Sequence, residues 1–244
     1  PTFSARDIEL SKQQFISTAD AAVVAAGRYD GIDFPGDECR LLILDGLPKA
    51  ANAQERFLMS KMGATILYNE RIRTRVVQAI GRCTRSAKDH AAVVVTGEHL
   101  TRYLTDQKRI RHLVPEMQAE LLFGASQSRT TTSQDLEDNL QIFLEHGEEW
   151  AQVNNDIVRM RESLTQEPLP AIGELGDAAP REIDYQKAIW KGDYAEALGH
   201  AESVLGILRH DDLRGYRALW HYLAGSAACL AELEVKARDH YLQA

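Results

Sequence analysis

The sequence predicts an α/β lobe built on a parallel sheet, followed by an all-α region. Three short apolar runs with glycine close behind them predict buried strands; these runs are 21–26, 40–45 and 91–96. Helical patterns separate the runs, and such alternation is typical of a parallel sheet covered by helices on both faces. No strand pattern follows residue 97, so the remainder of the chain should be helical.

Helical periodicity predicts the elements between and after the strands. In chain order, the predicted helices cover 5–17, 52–66, 70–82, 98–105, 115–123 and 133–164. Ser133 is the expected N-cap of the last of them. The stretch 167–180 contains three prolines and two glycines, which favours an irregular linker, and 181–244 is helical again.

Composition excludes several classes of protein. The 244 residues are 44% hydrophobic and 26% charged, as in ordinary globular chains. No apolar run approaches the roughly 18 residues of a membrane span, and no secretory leader pattern opens the sequence. The three cysteines are far apart and form no C-x-x-C pair, which argues against a disulfide framework, a zinc knuckle or an iron–sulfur site. A reducing, cytoplasmic setting without membrane contact fits best.

Charge is divided unevenly along the chain. Residues 1–115 carry 17 basic and 13 acidic side chains, a net charge of +4, whereas 116–244 carry 11 and 23, a net charge of −12. A polyanion should therefore bind the first half, and the acidic second half should favour a protein partner. The sequence starts at Pro1 and stops within a helical pattern, so we expect it to be a piece of a longer protein.

The most informative stretch has the form Q-x-x-G-R-x-x-R and lies where a predicted helix ends. It contains Gln78, Gly81, Arg82 and Arg85. Two arginines three residues apart on one helical turn can clamp a phosphate chain and stabilise the charge of a transferred phosphoryl group. Gly81 permits close approach of a backbone or a nucleotide. The alternative is an exposed basic helix that pairs with acidic neighbours.

A second stretch lies upstream, where a buried strand leads into a turn with the sequence Gly31-Ile32-Asp33 and then a proline. The carboxylate of Asp33 could serve a site, or it could cap its own turn. Further arginines, at 71, 73 and 75, could contact phosphate or form a solvated helix face.

Together, the order strand, G-I-D turn, strand, helix, Q-x-x-G-R-x-x-R, strand resembles motifs V and VI of superfamily 2 helicases. The likeness is greatest to the XPD/DinG-like group, whose motif V often reads E-G-I-D. Asp30 replaces that glutamate, Leu47-Pro48 keeps a later signature of the group, and Lys49 replaces the aromatic residue that commonly follows. The resemblance covers about residues 15–97 and implies the second RecA-like lobe of such an enzyme.

The resemblance also implies roles for individual residues. Arg82 and Arg85 match the motif VI arginines that reach the γ-phosphate of ATP, and Gln78 matches the glutamine that helps to place nucleotide and attacking water. Asp33 matches the motif V carboxylate near the ribose. Gly31 and Gly81 are then further nucleotide-binding positions.

The phosphate cradle and the magnesium-binding carboxylates of such enzymes belong to the first lobe, and their sequence signatures do not occur in this chain. The resemblance therefore implies ATP and Mg²⁺ held mainly by a first RecA-like lobe of the same protein, and a nucleic-acid partner, with DNA favoured over RNA. The parent protein would be an ATP-dependent helicase. This chain alone should not hydrolyse ATP efficiently.

The C-terminal segment has a pattern of its own. The run Lys191 to Leu198 resembles the turn and second-helix start of a tetratricopeptide repeat, and Gly225, Ala228 and Ala237 fit a second repeat. An ordinary amphipathic helical hairpin is the alternative. The predicted domains are a helicase C-terminal lobe at 1–115, a helical extension at 116–166, a linker at 167–180 and helical hairpins at 181–244. The rival function is a non-hydrolytic interaction scaffold built on these helical repeats.

Overall fold

The computed structural model describes residues 1–27, 32–48, 52–60, 65–83, 89–169 and 171–244, without the side chains of 58–60 and 65–68. The chain forms two compact units. The first unit comprises Pro1–Pro48 and Ile72–Glu167, and the second comprises Lys49–Arg71 and Pro168–Ala244.

The strands of the first unit form two parallel pairs. In the first pair, β1 (Thr2–Ser4) lies beside β2 (Ala22–Val24), with Phe3 opposite Val23. In the second pair, β3 (Leu41–Asp45) lies beside β4 (Ala92–Thr96), with Ile43 opposite Val94. The α/β class, the parallel direction and the three predicted strands are confirmed, and β1 is a strand that the sequence pattern missed.

The expectation that helices cover both faces of the sheet is wrong for β3. Its side chains alternate between exposed and half-buried, and Ile43 is 60% exposed. Because successive side chains of a strand point to opposite faces, an apolar run can form a strand while only one of its faces is packed.

Helices connect and follow these strands. In chain order, the helices up to residue 162 are α1 (Ala5–Leu10), α2 (Gln13–Ile16), α3 (Ala53–Ser60), α4 (Thr65–Ile80), α5 (Glu98–Thr105), α6 (Gln107–Ile110), α7 (Pro115–Gln127), α8 (Ser133–Glu145) and α9 (Glu148–Glu162). A 3₁₀ turn, Gly81–Cys83, extends α4, and another covers Gly36–Glu38.

Local chemistry explains several helix ends. Thr132, rather than Ser133, is the N-cap of α8, since its hydroxyl accepts from the backbone of Asp135 while the Asp135 carboxylate accepts from the backbone of Thr132. The predicted helix 133–164 is divided in two at His146, which has a left-handed backbone with φ of 50°. The predicted helix 5–17 is likewise two short helices, α1 and α2.

The core that positions the candidate site lies between the strands and α1. It consists of Ile8, Ile32, Phe34 and Cys83, with further apolar side chains packed around them. The rings of Phe3, Phe15 and Phe34 meet edge to face, with centroids 5.9 and 5.6 Å apart. This core therefore joins the segment after β2 to the turn after α4.

The C-terminal part of the second unit is a succession of packed helices. They are α10 (Ile172–Lys191), α11 (Tyr194–Ile207), α12 (Arg214–Leu230) and α13 (Glu234–Tyr241), with a 3₁₀ turn at Asp211–Leu213. The linker range 167–180 is helical from Ile172 onward, and Pro180 lies inside α10. A proline removes only one helical donor, and the packing of α10 on its neighbours offsets that loss.

The hairpin between α10 and α11 forms as the sequence predicts. Gly192 ends α10 with a left-handed φ of 80°, and the backbone N–H of Asp193 donates to the carbonyl of Ala188. Ala197 and Ala201 are completely buried in the core that α10 to α13 share. Within the described residues, no helix combines the length and the apolar character that crossing a membrane requires.

Candidate functional site

The turn after α4 brings the two sequence motifs together. The side chain of Arg82 is buried, with 7% exposure, and its Nη1 donates a hydrogen bond to the carbonyl of Ile32. The carbonyl of Arg82 in turn accepts from the N–H of Phe34 at 3.1 Å. These two hydrogen bonds hold the residues on either side of Asp33, so the predicted motif V and motif VI segments form one site.

Asp33 itself is exposed, and Lys12 supports its backbone. The Lys12 ammonium donates to the carbonyl of Asp33 at 2.9 Å and to the Glu38 carboxylate at 2.6 Å. It also lies 5.8 Å from the centre of the Phe34 ring. The contact of Lys12 with the Asp33 segment could not be predicted, because nothing in the local sequence distinguishes Lys12 from other lysines at a helix start.

The other described members of the predicted site lie at the surface beside this turn. Gln78 is exposed on the last turn of α4. A Cβ atom placed on Gly81 would meet no described atom within 4 Å, so that face of the turn is open. Gly31 and Arg85, the remaining predicted site residues, lie outside the described residues.

The neighbouring arginines have structural contacts. Arg71 forms an ion pair with Glu55, whose carboxylate is buried. Arg73 donates to the carbonyl of His112 at 2.8 Å. Arg71 and Arg73 therefore each have a partner within the chain, and Arg71 is also exposed at the surface.

Two cysteines lie at the Arg82 turn, since Cys83 belongs to the turn and Cys39 packs against the apolar cluster that contains it. Cys83 is fully buried, and Cys39, half-buried, packs against the same cluster. The Cys39 thiol donates to the carbonyl of Leu41 at 3.3 Å, and interaction with the Cys83 side chain is the main cause that lowers the pKa of Cys39 to about 7. The same interaction, together with burial, raises the pKa of Cys83. No local sequence pattern predicts this pair, since the two residues are distant along the chain.

The described residues fit one side of a nucleotide better than they fit a metal. The amide of Gln78 is exposed, the face beside Gly81 is open, and the Asp33 carboxylate is at the surface. Across the described parts of the chain, no three His, Cys, Asp or Glu side chains are arranged to hold a metal ion.

The three tryptophans differ in their environments, and two of them pack against other rings. Trp220 is buried, with its ring 5.3 Å from that of Tyr185. Trp150 joins an aromatic cluster in which the His90 and His146 rings stack at 3.7 Å. Trp190, by contrast, is 82% exposed.

Comparison with known proteins identifies one relationship. Residues 9–118 match the family model described as the helicase C-terminal domain, and this range contains Asp33, Gln78 and Arg82. The comparisons with curated proteins and with solved structures gave no match. The match covers a little under half of the chain, and over that part it supports a helicase C-terminal lobe.

Proposed function

We propose that residues 1–115 are the second motor lobe of an ATP-dependent superfamily 2 helicase or translocase of the XPD/DinG-like group. The observation that carries the proposal is the pair of hydrogen bonds between Arg82 and the Ile32–Phe34 segment. They join two motifs 50 residues apart into one site, inside the range that matches the helicase model. The phosphate cradle and the Mg²⁺ ligands come from a first RecA-like lobe.

In this proposal each site residue has a distinct task. Arg85 and Arg82 stabilise the charge that spreads over the transferred phosphoryl group of ATP. Gln78 places the attacking water, Asp33 lies near the ribose, and Gly31 and Gly81 allow the nucleotide to approach. When bound between the lobes, ATP supplies the phosphoryl transfer whose energy drives their opening and closing.

The structure adds a second task for Arg82. Its Nη1 supports the carbonyl of Ile32 within the lobe, so Arg82 also positions the segment that carries Asp33. Replacement of Arg82 by alanine leaves a buried carbonyl without its donor, which costs about 1–3 kcal/mol of unfolding free energy. Arg82 thus contributes to stability as well as to hydrolysis.

The decisive measurement is nucleic-acid-stimulated ATP hydrolysis by the complete protein that contains this chain and its first lobe. Arg82→Ala and Arg85→Ala should each lower the rate by about 10³–10⁵-fold, the usual effect of losing an arginine finger. The control is Arg102→Ala, which removes only an exposed ion pair with Glu98 and should leave the rate unchanged. Wild-type rates for both motif variants would contradict the proposal.

The chain alone provides a complementary test. Because half of a bipartite site cannot align nucleotide and water, it should show no ATP turnover above background. Turnover that Arg82→Ala abolishes would show that the site is complete within this chain. Denaturant unfolding of the same variant should show the stability loss described above, whereas Gln78→Ala, at an exposed position, should change the unfolding free energy by about 0.5 kcal/mol or less.

The nucleic-acid partner follows from the charge of the lobe. The net charge of +4 over residues 1–115 favours a polyanion, and the acidic remainder disfavours one. We propose DNA rather than RNA as this partner. Stimulation of ATP hydrolysis by single-stranded DNA and by RNA of equal length distinguishes the two.

The second candidate function is a non-hydrolytic interaction scaffold, in which α10 to α13 are tetratricopeptide-like repeats that bind a protein. Large exposed apolar side chains on these helices favour it: Trp190 on α10 is 82% and Val235 on α13 is 77% exposed. A complete protein without a first lobe, and with a partner whose binding Trp190→Ala weakens, would favour the scaffold over the motor.

A further inference from the structure

The pair Cys39 and Cys83 has no task in the proposed hydrolysis, yet the fold holds the two residues together. Cys83 follows Arg82 in the 3₁₀ turn after α4, and Cys39 immediately precedes the Arg40 backbone that pairs with Ala92. Both belong to the same apolar cluster, in which Cys83 has no exposed surface and Cys39 is half-buried. Cys39 is thus the more accessible of the two residues.

Hydrogen bonds on both sides fix the backbones that carry these two residues. The N–H of Phe34 donates to the carbonyl of Arg82 at 3.1 Å, and the N–H of Gly36 donates to the Asp89 carboxylate, also at 3.1 Å. On the other side of Cys39, the Arg40 guanidinium donates to the carbonyl of His90 at 2.7 Å. The loop 34–40 is therefore attached to the turn that contains Cys83 and to the segment after that turn.

We propose that Cys39 and Cys83 are a redox modification site, at which a peroxide converts the two thiols reversibly into an intramolecular disulfide. The Cys39 thiolate attacks one peroxide oxygen, which gives a sulfenic acid on Cys39 and releases hydroxide. The Cys83 sulfur then displaces the sulfenic oxygen, and its proton leaves with that oxygen as water. Two thiols lose two electrons in total, and one hydrogen peroxide becomes two waters.

The division of roles between the two cysteines follows from their surroundings. The thiolate is the attacking form, and the pKa of Cys39, lowered to about 7, makes that form abundant near neutral pH. The pKa of Cys83 is raised and its sulfur is enclosed, so Cys83 serves as the resolving thiol. In a reducing compartment such a disulfide is transient, because the thiol pool reduces it once the peroxide is consumed. The disulfide links the loop that follows Asp33 covalently to the turn that contains Arg82.

The test uses the full chain, treated with a small excess of hydrogen peroxide, alkylated with N-ethylmaleimide and mapped by mass spectrometry without reduction. A disulfide between the Cys39 and Cys83 peptides should form in most molecules, with a mass loss of about 2 Da, and dithiothreitol should reverse it. Cys229, the exposed third cysteine, should remain available to the maleimide. The same treatment in urea is the reference, since an unfolded chain has no reason to prefer this pair.

Variants make the assignment specific. Cys229→Ser should leave the disulfide yield unchanged, whereas Cys39→Ser should leave Cys83 reduced and protected from the maleimide. In Cys83→Ala, which keeps a small apolar side chain in the core, Cys39 should stop at the sulfenic or sulfinic acid. Alkylation of Cys39 by iodoacetamide should rise with pH around a midpoint of about 7. The proposal is overturned if native oxidation leaves Cys83 as a thiol, or yields the pairs with Cys229 as readily as the pair of Cys39 and Cys83. These outcomes do not depend on ATP hydrolysis, so they are separate from the test of the motor function.

Discussion

Two histidines meet in the C-terminal helices, where His221 of α12 and His240 of α13 have their Nδ1 atoms 3.2 Å apart. Burial is the main cause that lowers the pKa of His221, and the nearby charges of His240 and Arg217 lower it further. Across the contact, the carboxylate of Glu202 binds Lys236 at 2.9 Å and lies 3.6 Å from Nε2 of His240. The folded state therefore favours a neutral His221.

This predicts a loss of stability in mild acid. A histidine that resists protonation when folded takes up its proton in the unfolded chain, whose ordinary pKa is 6.5. The contribution is complete above that pH and decreases as the pH falls below it. Denaturant unfolding of the wild type and of His221→Gln, measured between pH 7.5 and about 5, should show a shallower pH dependence for the variant. An identical dependence in both proteins would contradict the assignment.

At this scale the sequence predicted residue types better than their orientations. The motif spacing predicts Gln78 and Arg82 as site residues, and their roles stay predictions, but in the structure Arg82 does contact the segment that carries Asp33. The motif spacing could not predict that the Arg82 guanidinium points inward to the carbonyl of Ile32, because that acceptor lies 50 residues away along the chain. The support from Lys12 was missed for the same reason. Both contacts are tertiary, and local periodicity contains no information on them.

Among elements, α12 and α13 approach most closely at a glycine. A Cβ on Gly225 would lie 2.8 Å from the Tyr241 ring, which is closer than real contacts allow. On α11, by contrast, Gly199 has no atom within 4 Å of that position. Two helical glycines of this region therefore differ only in what faces them.

This contrast predicts opposite effects of alanine. Gly199→Ala should raise the unfolding free energy by about 0.5–1 kcal/mol, because alanine restricts the unfolded chain and favours the helix. Gly225→Ala should lose that gain or lower stability, since the Tyr241 ring must move. In a Tyr241→Ala background the same substitution should become stabilising. Equal effects of the two glycine substitutions would show that the close approach is absent.

The sequence pattern predicted that the helices exist, but it predicted their end residues only where a cap was recognisable. The prediction for 98–105 coincides with α5, which follows Gly97. The prediction for 133–164 missed the break between α8 and α9, because the apolar period continues across it. A left-handed His146 followed by Gly147 divides the helix, and because His is enriched in that conformation, the pair is a stop signal that the helical period concealed. The prolines and glycines of 167–180 predict an irregular linker, but tertiary packing maintains α10 around Pro180.

On the scale of the whole molecule, the segment 168–244 contains its own hydrophobic core. The buried residues of that core run from Ala178 to Ala237, and every one of them belongs to this segment. A set of helices that buries its apolar faces mutually should not need the rest of the chain in order to fold.

The prediction is that residues 168–244, produced alone, give a helical circular-dichroism spectrum and unfold cooperatively. Ala201→Asp, at a position with no exposure, should abolish the cooperative transition because it buries an unpaired charge. Ala195→Asp, on the exposed face of the same helix, is the matched control and should retain it. A non-cooperative wild-type fragment would mean that its core depends on residues outside 168–244.

The contact between Ile32 and Arg82 also affects synthesis of the chain. The two residues are 50 positions apart, so during translation Ile32 leaves the ribosome roughly 3–10 s before Arg82 does. Throughout that interval Ile32 and Phe34 lack the turn that later bonds to their segment, and they remain open to chaperones or to neighbouring nascent chains. The α10–α11 hairpin, whose contacts are local, has no such delay. The segment that carries Asp33 therefore reaches its final environment only after the Arg82 turn has been synthesised, so its maturation depends on the pace of translation.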